Sequence, residues 1–368
     1  MLFEQQRKNT RQIHVGGVAV GGGAPVSVQS MTNTATADVA ATVAQIIRLQ
    51  EVGCEIVRVA VPDMAAAQAI AAIKQEITIP LIADIHFNWR LAVAAMDAGA
   101  DGLRINPGNI GGREKTLKVI NKAADKGVPI RIGVNAGSVE KDLIKKHGGV
   151  TAGAMAESVF RNVAVFEAAG FDNIKISIKA SDVYRTVEGY RLVSAACDYP
   201  LHVGVTEAGG LFPGLVKSAV GIGLLLAQGI GDTIRVSLTR DPVEEVRAGY
   251  EILKALDIRR VGPEMISCPT CGRCRINLFA IAEAVERGLM KMRAPFTVAV
   301  MGCAVNGPGE AKEADIGIAG GDGAGVLFKK GKIVATLPED QLVTALLSEA
   351  EKLEKQWRKR DKKEEKHG

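Results

Sequence analysis

GLRINPGNIGGREKTLKVINKAADKGVPIRIGVNA, residues 102–136, holds one complete repeat of the chain's organisation. Its ends, GLRINP (102–107) and PIRIGVNA (129–136), are short, rich in branched residues and alternate apolar with polar, as half-buried strands do. Between them EKTLKVINKAADKG (114–127) reads as a helix that stops at Gly127,. Six further strand-like runs share this setting: PVSVQSM (25–31), IVRVAV (56–61), PLIADIHF (80–87), NIKISIKA (173–180), LHVGVTEA (201–208) and TIRVSLT (233–239). Helical patterns such as ADVAATVAQIIRLQEVG (37–53) and WRLAVAAMDAGA (89–100) separate them. Eight strand–helix units in roughly 240 residues predict a closed (β/α)8 TIM barrel rather than an open doubly wound sheet. The earlier GGVAVGGGAPV reads as a hairpin turn ahead of the barrel.

Residues two apart on a strand share a face. One face collects Arg58; Asp84 and His86; Arg104 and Asn106; Arg131 and Asn135; Lys175, Ser177 and Lys179; His202 and Thr206; and Arg235 and Ser237. The opposite faces are mostly Ile, Val and Leu. In a barrel the aliphatic face meets the helices, so the polar face points inward, where branched aliphatics ordinarily fill the space. Four Arg and two Lys then share the interior with one carboxylate, Asp84, and adding Glu207 from a strand end leaves the cations in surplus. Burying an unpaired cation costs several kcal/mol, so an anion is the missing partner. Phosphate or diphosphate suits the Arg fork. Taken singly, each arginine reads as a structural ion pair; six cations on matching parity do not. The glycine-rich turns NPGNIGG (106–112) and EAGGLFPG (207–214) add backbone amides near helix starts,.

Beyond residue 260 the pattern becomes a smaller α/β unit. ISCPTCGRCRINL (266–278) is followed by a helical stretch, then FTVAVMGCAVNGPGEA, ADIGIAGG and the hairpin-like GVLFKKGKIVATL. Cys268, Cys271 and Cys274 lie at two-residue gaps, and Cys303 ends a later strand. Such a set suits zinc or a [4Fe-4S] cluster. Zinc sites usually draw on two compact pairs, whereas Cys303 stands alone beside a glycine-rich turn, which favours the cluster. Cys54 and Cys197 read as packing residues.

Composition excludes other classes. No apolar run reaches the roughly 18–20 residues of a spanning helix, and MLFEQQRKNTRQIHV lacks a signal core,. The expectation is a cytoplasmic protein with reduced thiols and no membrane partner. The net charge of +5 comes from the end of the chain: from Lys352 onward there are eight Lys or Arg against four Asp or Glu, leaving 38 against 37 before it. That tail reads as a solvated, frayed helix end, and with 4% aromatic residues no nucleic-acid role is expected,.

SCPTCGR, MGCAVNGPGEA, ADIHF, RINPGNIG, RIGVNAGS, HVGVTEAGG and GIGDTIRVSLT occur with compatible spacing along the chain. They resemble the signature segments of the bacterial 4-hydroxy-3-methylbut-2-enyl diphosphate synthase family, flavodoxin- or ferredoxin-dependent iron–sulfur oxidoreductases of the methylerythritol phosphate route to isoprenoids. The resemblance spans about residues 8 to 345. It implies the reductive ring opening and dehydration of 2-C-methyl-D-erythritol 2,4-cyclodiphosphate to the allylic diphosphate. It further implies a [4Fe-4S] cluster, ferredoxin or flavodoxin as electron donor, and a head-to-tail homodimer in which each cluster closes over the partner's barrel. Cluster ligands carried over by resemblance are Cys268, Cys271, Cys303 and Glu310. For the substrate they are Arg58, Arg104, Arg131 and Asn135, which Lys179, Lys217 and Arg235 join on physical grounds. Glu207 is the expected proton donor or hydroxyl partner; counter-ion to a neighbouring Arg is the competing role, and its parity requires the strand to have ended before it.

On this reading residues 1–262 form the diphosphate-binding barrel, 263–350 the [4Fe-4S] domain, and 351–368 a charged C-terminal tail. Cys274 departs from the family pattern and reopens the ligand question, since four cysteines make an all-thiolate cage. The alternative function is a sugar-phosphate-binding barrel carrying a structural zinc interaction domain.

Overall fold

The computed structural model describes residues 7–303 and 311–364, the last four of these by backbone only. The chain divides into two compact units, Met1–Arg259 and Arg260–Gly368. Among the described residues no helix is long and apolar enough to cross a membrane.

The first unit opens with the antiparallel hairpin β1 (Ile13–Val15) and β2 (Val18–Val20). Eight parallel strands follow: β3 (Ser27–Met31), β4 (Ile56–Ala60), β5 (Leu81–Ile85), β6 (Gly102–Ile105), β7 (Ile130–Asn135), β8 (Ile174–Lys179), β9 (His202–Val203) and β10 (Thr233–Ile234). Their order is β8-β7-β6-β5-β4-β3-β10-β9. A parallel bridge between Ile176 and Leu201, with the Ile176 N–H donating to the Pro200 carbonyl at 2.9 Å, returns β8 to the segment entering β9 and closes the ring. The helices are α1 (Val39–Glu51), α2 (Met64–Glu76), α3 (Trp89–Asp97), α4 (Arg113–Lys126), α5 (Lys141–Lys146), α6 (Ala152–Glu167), α7 (Val183–Ala196), α8 (Leu211–Leu226) and α9 (Pro242–Ala255). This is the expected TIM barrel.

Strand parity decides which side chains enter the barrel. A Cβ on Gly189 of α7 would lie 3.0 Å from Ile178, one on Gly221 of α8 2.6 Å from Val205, and one on Gly249 of α9 3.0 Å from Val28. The aliphatic face therefore meets the helices, and helix glycines let it come close. On the inner face, Ile56 and Ile82 pack with Ile13, Val15 and Val20 of the hairpin, giving that side of the barrel an apolar floor. The last two strands are shorter than 201–208 and 233–239: they end at Val203 and Ile234. Just beyond, a Cβ at Gly204 would sit 2.3 Å from the Arg235 carbonyl oxygen, an approach only glycine permits, and regular pairing stops there.

The second unit comprises β11 (Glu264–Ser267), α10 (Leu278–Leu289), β12 (Thr297–Met301), β13 (Ile316–Gly320), β14 (Ala324–Lys329), β15 (Lys332–Pro338) and α11 (Glu339–Glu364). Its sheet runs β11-β12-β13-β14-β15, parallel through β13 and antiparallel after it. Alternation divides the side chains. Val298, Val300, Ile316 and Ile318 join Ile281 and Val285 of α10 and Leu342 and Leu346 of α11 in one core; Ala299, Met301, Ala319 and Phe328 line the other face. The charged segment from 351 is the second half of α11 rather than a separate tail. Leu353 and Trp357 pack against the core, and buried Glu354 accepts the N–H groups of Arg293 and Ala294 at 3.0 and 2.8 Å.

Candidate functional site

The inner face of the barrel is a charged wall with too few anions. Arg104 Nη1 lies 3.1 Å from Asp84 Oδ1, Arg58 Nε lies 3.5 Å from Asp84 Oδ2, and His86 Nε2 lies 3.6 Å from Oδ1. Neighbouring strands set this up, since Asp84 and Arg104, and Arg104 and Arg131, are register partners. Burial by itself raises the Asp84 pKa, but Arg58, the His86 hydrogen bond and Arg104 outweigh it and hold the carboxyl well below the usual range,. Arg58 falls to about 10, chiefly through burial, with Asp84 opposing and Arg235 and Arg104 adding repulsion; it also directs Nε and Nη2 at Met31 Sδ, 3.1 and 3.0 Å away.

Arg235 is the case in which the ion-pair role holds. Glu245 on α9, 3% exposed, receives Arg235 Nη2 at 3.1 Å and Nε at 3.3 Å, and also accepts from Ser30 Oγ and the Leu238 N–H. Among the described residues nothing comparable serves Arg131, which is 1% exposed with Nε and Nη1 unpartnered. Lys175 Nζ, both ring nitrogens of His202 and both side-chain polar atoms of Gln29 are likewise buried without a hydrogen-bond partner. Burial, then repulsion from Arg58 and Arg104, lowers the Arg131 pKa. Burial followed by Arg131 does the same to Lys175 and Lys179, and burial followed by Lys179 keeps His202 neutral. Buried polar groups are almost always hydrogen-bonded, so this wall lacks its acceptor.

Two glycines that the sequence did not single out make the room. A Cβ at Gly133 would lie 2.7 Å from Arg104 Nε and 3.2 Å from Ser177 Oγ; one at Gly204 would lie 2.8 Å from Lys179 Nζ. Both share the inward parity of their strands, and their signal is an absent side chain amid long cations.

Active sites of such barrels form where the strands end at their C-terminal side. There α4 and α8 begin at Gly112 and Gly210 with no capping side chain. The short α5 also starts without one, whereas Asp38, Asp63, Asn88, Thr151, Asp182 and Asp241 cap α1, α2, α3, α6, α7 and α9. The first-turn amides of α4 and α8 are thus left for another acceptor. These are the helices entered by the two glycine-rich turns. Asn106 folds its turn by accepting the Gly108 N–H at 3.1 Å, and Asn135 is half-buried at the end of β7. Glu207 follows the end of β9, so strand parity no longer binds it; it is exposed at φ 52°, a costly conformation for a non-glycine residue,. Lys217 is exposed on α8, outside the interior cluster.

In the second unit β11 and β12 are adjacent parallel strands, and Cys268 and Cys303 follow their ends. The Cys268 N–H donates to the Val300 carbonyl at 3.3 Å, and Cys268 Sγ accepts the Gly302 N–H at 3.3 Å. Cys271 is exposed in the intervening turn, its pKa lowered first by the Arg273 backbone N–H and then by that side chain. Cys274 Sγ donates to the Ile276 carbonyl at 3.3 Å, and a Cβ on Gly302 would lie 2.7 Å from it. Among the described residues no three His, Cys, Asp or Glu side chains gather at metal distance. Glu310 lies outside the described residues.

Two family models match this chain, the GcpE TIM-barrel domain over residues 10–250 and the GcpE protein C-terminal domain over 264–352. The chain belongs to the GcpE family. A GcpE relative from Desulfotalea psychrophila, named 4-hydroxy-3-methylbut-2-en-1-yl diphosphate synthase (flavodoxin), is 60% identical over 96% of this chain and 98% of its own. Another, from Geobacter sulfurreducens and named alike, is 60% identical over 94% of this chain and 98% of its own. Among solved structures, dihydropteroate synthase from Stenotrophomonas maltophilia is similar with a TM-score of 0.48 and 16% identity, over 67% of this chain and 97% of that one.

The charge arrangement gives two opposite expectations for this GcpE protein. Arg131→Met removes a buried charge without a partner and should leave the ligand-free protein as stable or up to about 4 kcal/mol more stable. Asp84→Asn strips Arg58 and Arg104 of their shared counter-charge and should cost about 3–5 kcal/mol. Since the folded Asp84 pKa is depressed, its contribution holds above the ordinary carboxylate pKa of about 4 and is lost as pH falls further. Thermal and denaturant unfolding of both variants at neutral and acid pH checks the signs; a destabilised Arg131→Met would mean that Arg131 has a partner.

Proposed function

We propose that the protein carries out the two-electron reductive ring opening and dehydration of 2-C-methyl-D-erythritol 2,4-cyclodiphosphate to 4-hydroxy-3-methylbut-2-enyl diphosphate. The relatives' names support this reaction, and the observation that carries it is Arg131, buried beside Arg58 and Arg104 with donors facing no acceptor. Arg58, Arg104, Arg131 and Asn135 are the proposed diphosphate ligands, with Lys179 and the uncapped starts of α4 and α8 completing the cradle. Arg235 is held in place by its pair with Glu245 and lends the site hydrogen-bond donors rather than net charge, and Lys217 supplies charge from the rim. Positive charge arranged in advance around the diphosphate stabilises the oxyanion formed when the C–O bond breaks, with no reorganisation at that moment. Glu207, exposed just past the end of β9, is the proposed donor of a proton to a leaving hydroxyl, or its binding partner,.

Cys268, Cys271 and Cys303, with Glu310, are the proposed holders of a [4Fe-4S] cluster. The donor set fits: Cys268 and Cys303 follow adjacent strand ends, and Cys271 has its thiolate favoured by Arg273. When bound, the cluster supplies the electrons and one Lewis-acidic iron. Flavodoxin is the proposed electron donor, as in the relatives' printed names. On this reading residues 1–262 serve the substrate and 263–350 the cluster.

Anaerobically purified protein should contain iron and sulfide and turn over the cyclodiphosphate with a strong reductant. Alanine at Arg58, Arg104 or Arg131 should weaken substrate binding roughly ten- to hundred-fold, the loss of a charge-assisted contact of about 1.5–3 kcal/mol, and leave the cluster spectrum unchanged. Unaltered affinity in all three would overturn the diphosphate site.

Cys274 is the proposed spectator. Its thiol proton is given to the Ile276 carbonyl and its sulfur is tucked under Gly302. Cys274→Ser should keep its iron and most of its turnover, Ser at 268, 271 or 303 should lose the cluster, and Glu310→Ala should keep some cluster with little activity. Iron lost from Cys274→Ser together with an active Glu310→Ala would make the four cysteines the cage.

A head-to-tail homodimer is the proposed assembly. Phe212, Val216, Val220 and Leu224 form an exposed apolar stripe at four-residue spacing along α8, a surface suited to a second copy,. If the barrel of one chain works with the cysteine unit of the other, a mixed dimer of Cys303→Ser and Arg131→Ala subunits should regain one working site. Verified mixed dimers without activity would place both halves of the site in one chain.

A further inference from the structure

Lys175 is not among the residues assigned to the diphosphate, yet among the described residues it is a buried cation with no partner. It is 1% exposed, lies four residues before Lys179 on the same face of β8, and its Nζ makes no hydrogen bond. The charged and titratable groups facing it are Arg131 on β7, Arg58 on β4 and His202 on β9. Lys179 is faced by Arg131, Arg235, Arg58 and Arg104, and by His202 on β9. Tyr190 on α7 turns its hydroxyl to the His202 carbonyl and so offers neither lysine an anion. The interior carboxylates are already engaged, Asp84 by Arg58 and Arg104 and Glu245 by Arg235.

A guanidinium keeps its proton near neutral pH, whereas a buried ammonium readily sheds its own. The four arginines less the two carboxylates leave two positive charges in the wall. A cyclic diphosphate diester carries two negative charges, so the wall is balanced with both lysines neutral. Ring opening changes this. The C–O bond breaks with its electron pair on oxygen, and the diphosphate becomes a monoester with a third negative charge. The dianion plus two electrons gives the trianion plus hydroxide, and one proton turns that hydroxide into water; that proton leaves in the water and none remains to balance the extra charge. We propose that the buried pair Lys175 and Lys179 takes up one further proton from solvent while the trianion is bound and returns it when the product leaves. This rests on the diphosphate reading above and assigns Lys175 a positioning role through charge.

The test is calorimetric binding to the oxidised, cluster-loaded, full-length protein without reductant, at pH 8, in two buffers of different ionisation enthalpy. The allylic diphosphate should bind with uptake of about one more proton per site than the cyclodiphosphate. In Lys175→Met/Lys179→Met, which keeps the side-chain bulk, that difference should fall by half or more. Equal proton numbers for the two ligands in the wild-type protein, or an undiminished difference in the double variant, would overturn the coupling while leaving the diphosphate site in place. Failure of either ligand to bind the wild-type protein would overturn the diphosphate reading itself, and the coupling with it.

Discussion

Asp84 stands between two guanidinium groups, and the charge balance of the barrel follows from how far one carboxylate can reach. It serves Arg104 at 3.1 Å and Arg58 at 3.5 Å, with His86 at 3.6 Å on the same carboxylate. Arg235 has Glu245. Arg131 and Lys175, register partners on adjacent strands, have neither. A TIM barrel usually fills this space with aliphatic layers that hold the ring together. Here the adhesive work falls to the outer faces of the strands against the helices and to the floor built by the hairpin, and the interior is given over to charge.

Much of this was legible because a strand has a period of two. Arg58, Asp84, Arg104, Arg131, Lys175 and Lys179 occur on one parity in runs whose other parity is aliphatic, and the barrel places them inside as that alternation requires. Parity still turns Arg235 toward Lys179 and Arg58, but it no longer binds residues once the strands have ended. Arg235, Thr206 and Glu207 lie past the ends of β9 and β10, because Gly204 brings two backbones closer than a regular ladder allows. Glu245 was invisible for another reason: it sits on a helix among Val243, Val246 and Leu253, and only the tertiary fold turns it inward. Gly133 escaped notice because its contribution is the volume it leaves to Arg104.

The cysteine unit was legible in spacing but not in geometry. Two-residue gaps and a distant fourth thiol announce soft metal chemistry, and the parallel pairing of β11 with β12 explains how residues 268 and 303 become neighbours. Spacing could not rank Cys274 against Cys271. The fold separates them, one thiol tied to the Ile276 carbonyl and packed against the core, the other exposed beside Arg273.

The hairpin beneath the barrel carries a consequence for traffic. Val15 and Val20 close against Ile56 and Ile82, while Lys175, His202 and Thr233 are shut off from water on the remaining side. Among the described residues, these positions close that end of the barrel interior to water. An occupant held above such a floor would leave by the C-terminal rim through which it came, so one that has reacted and one that has not would compete for the same passage.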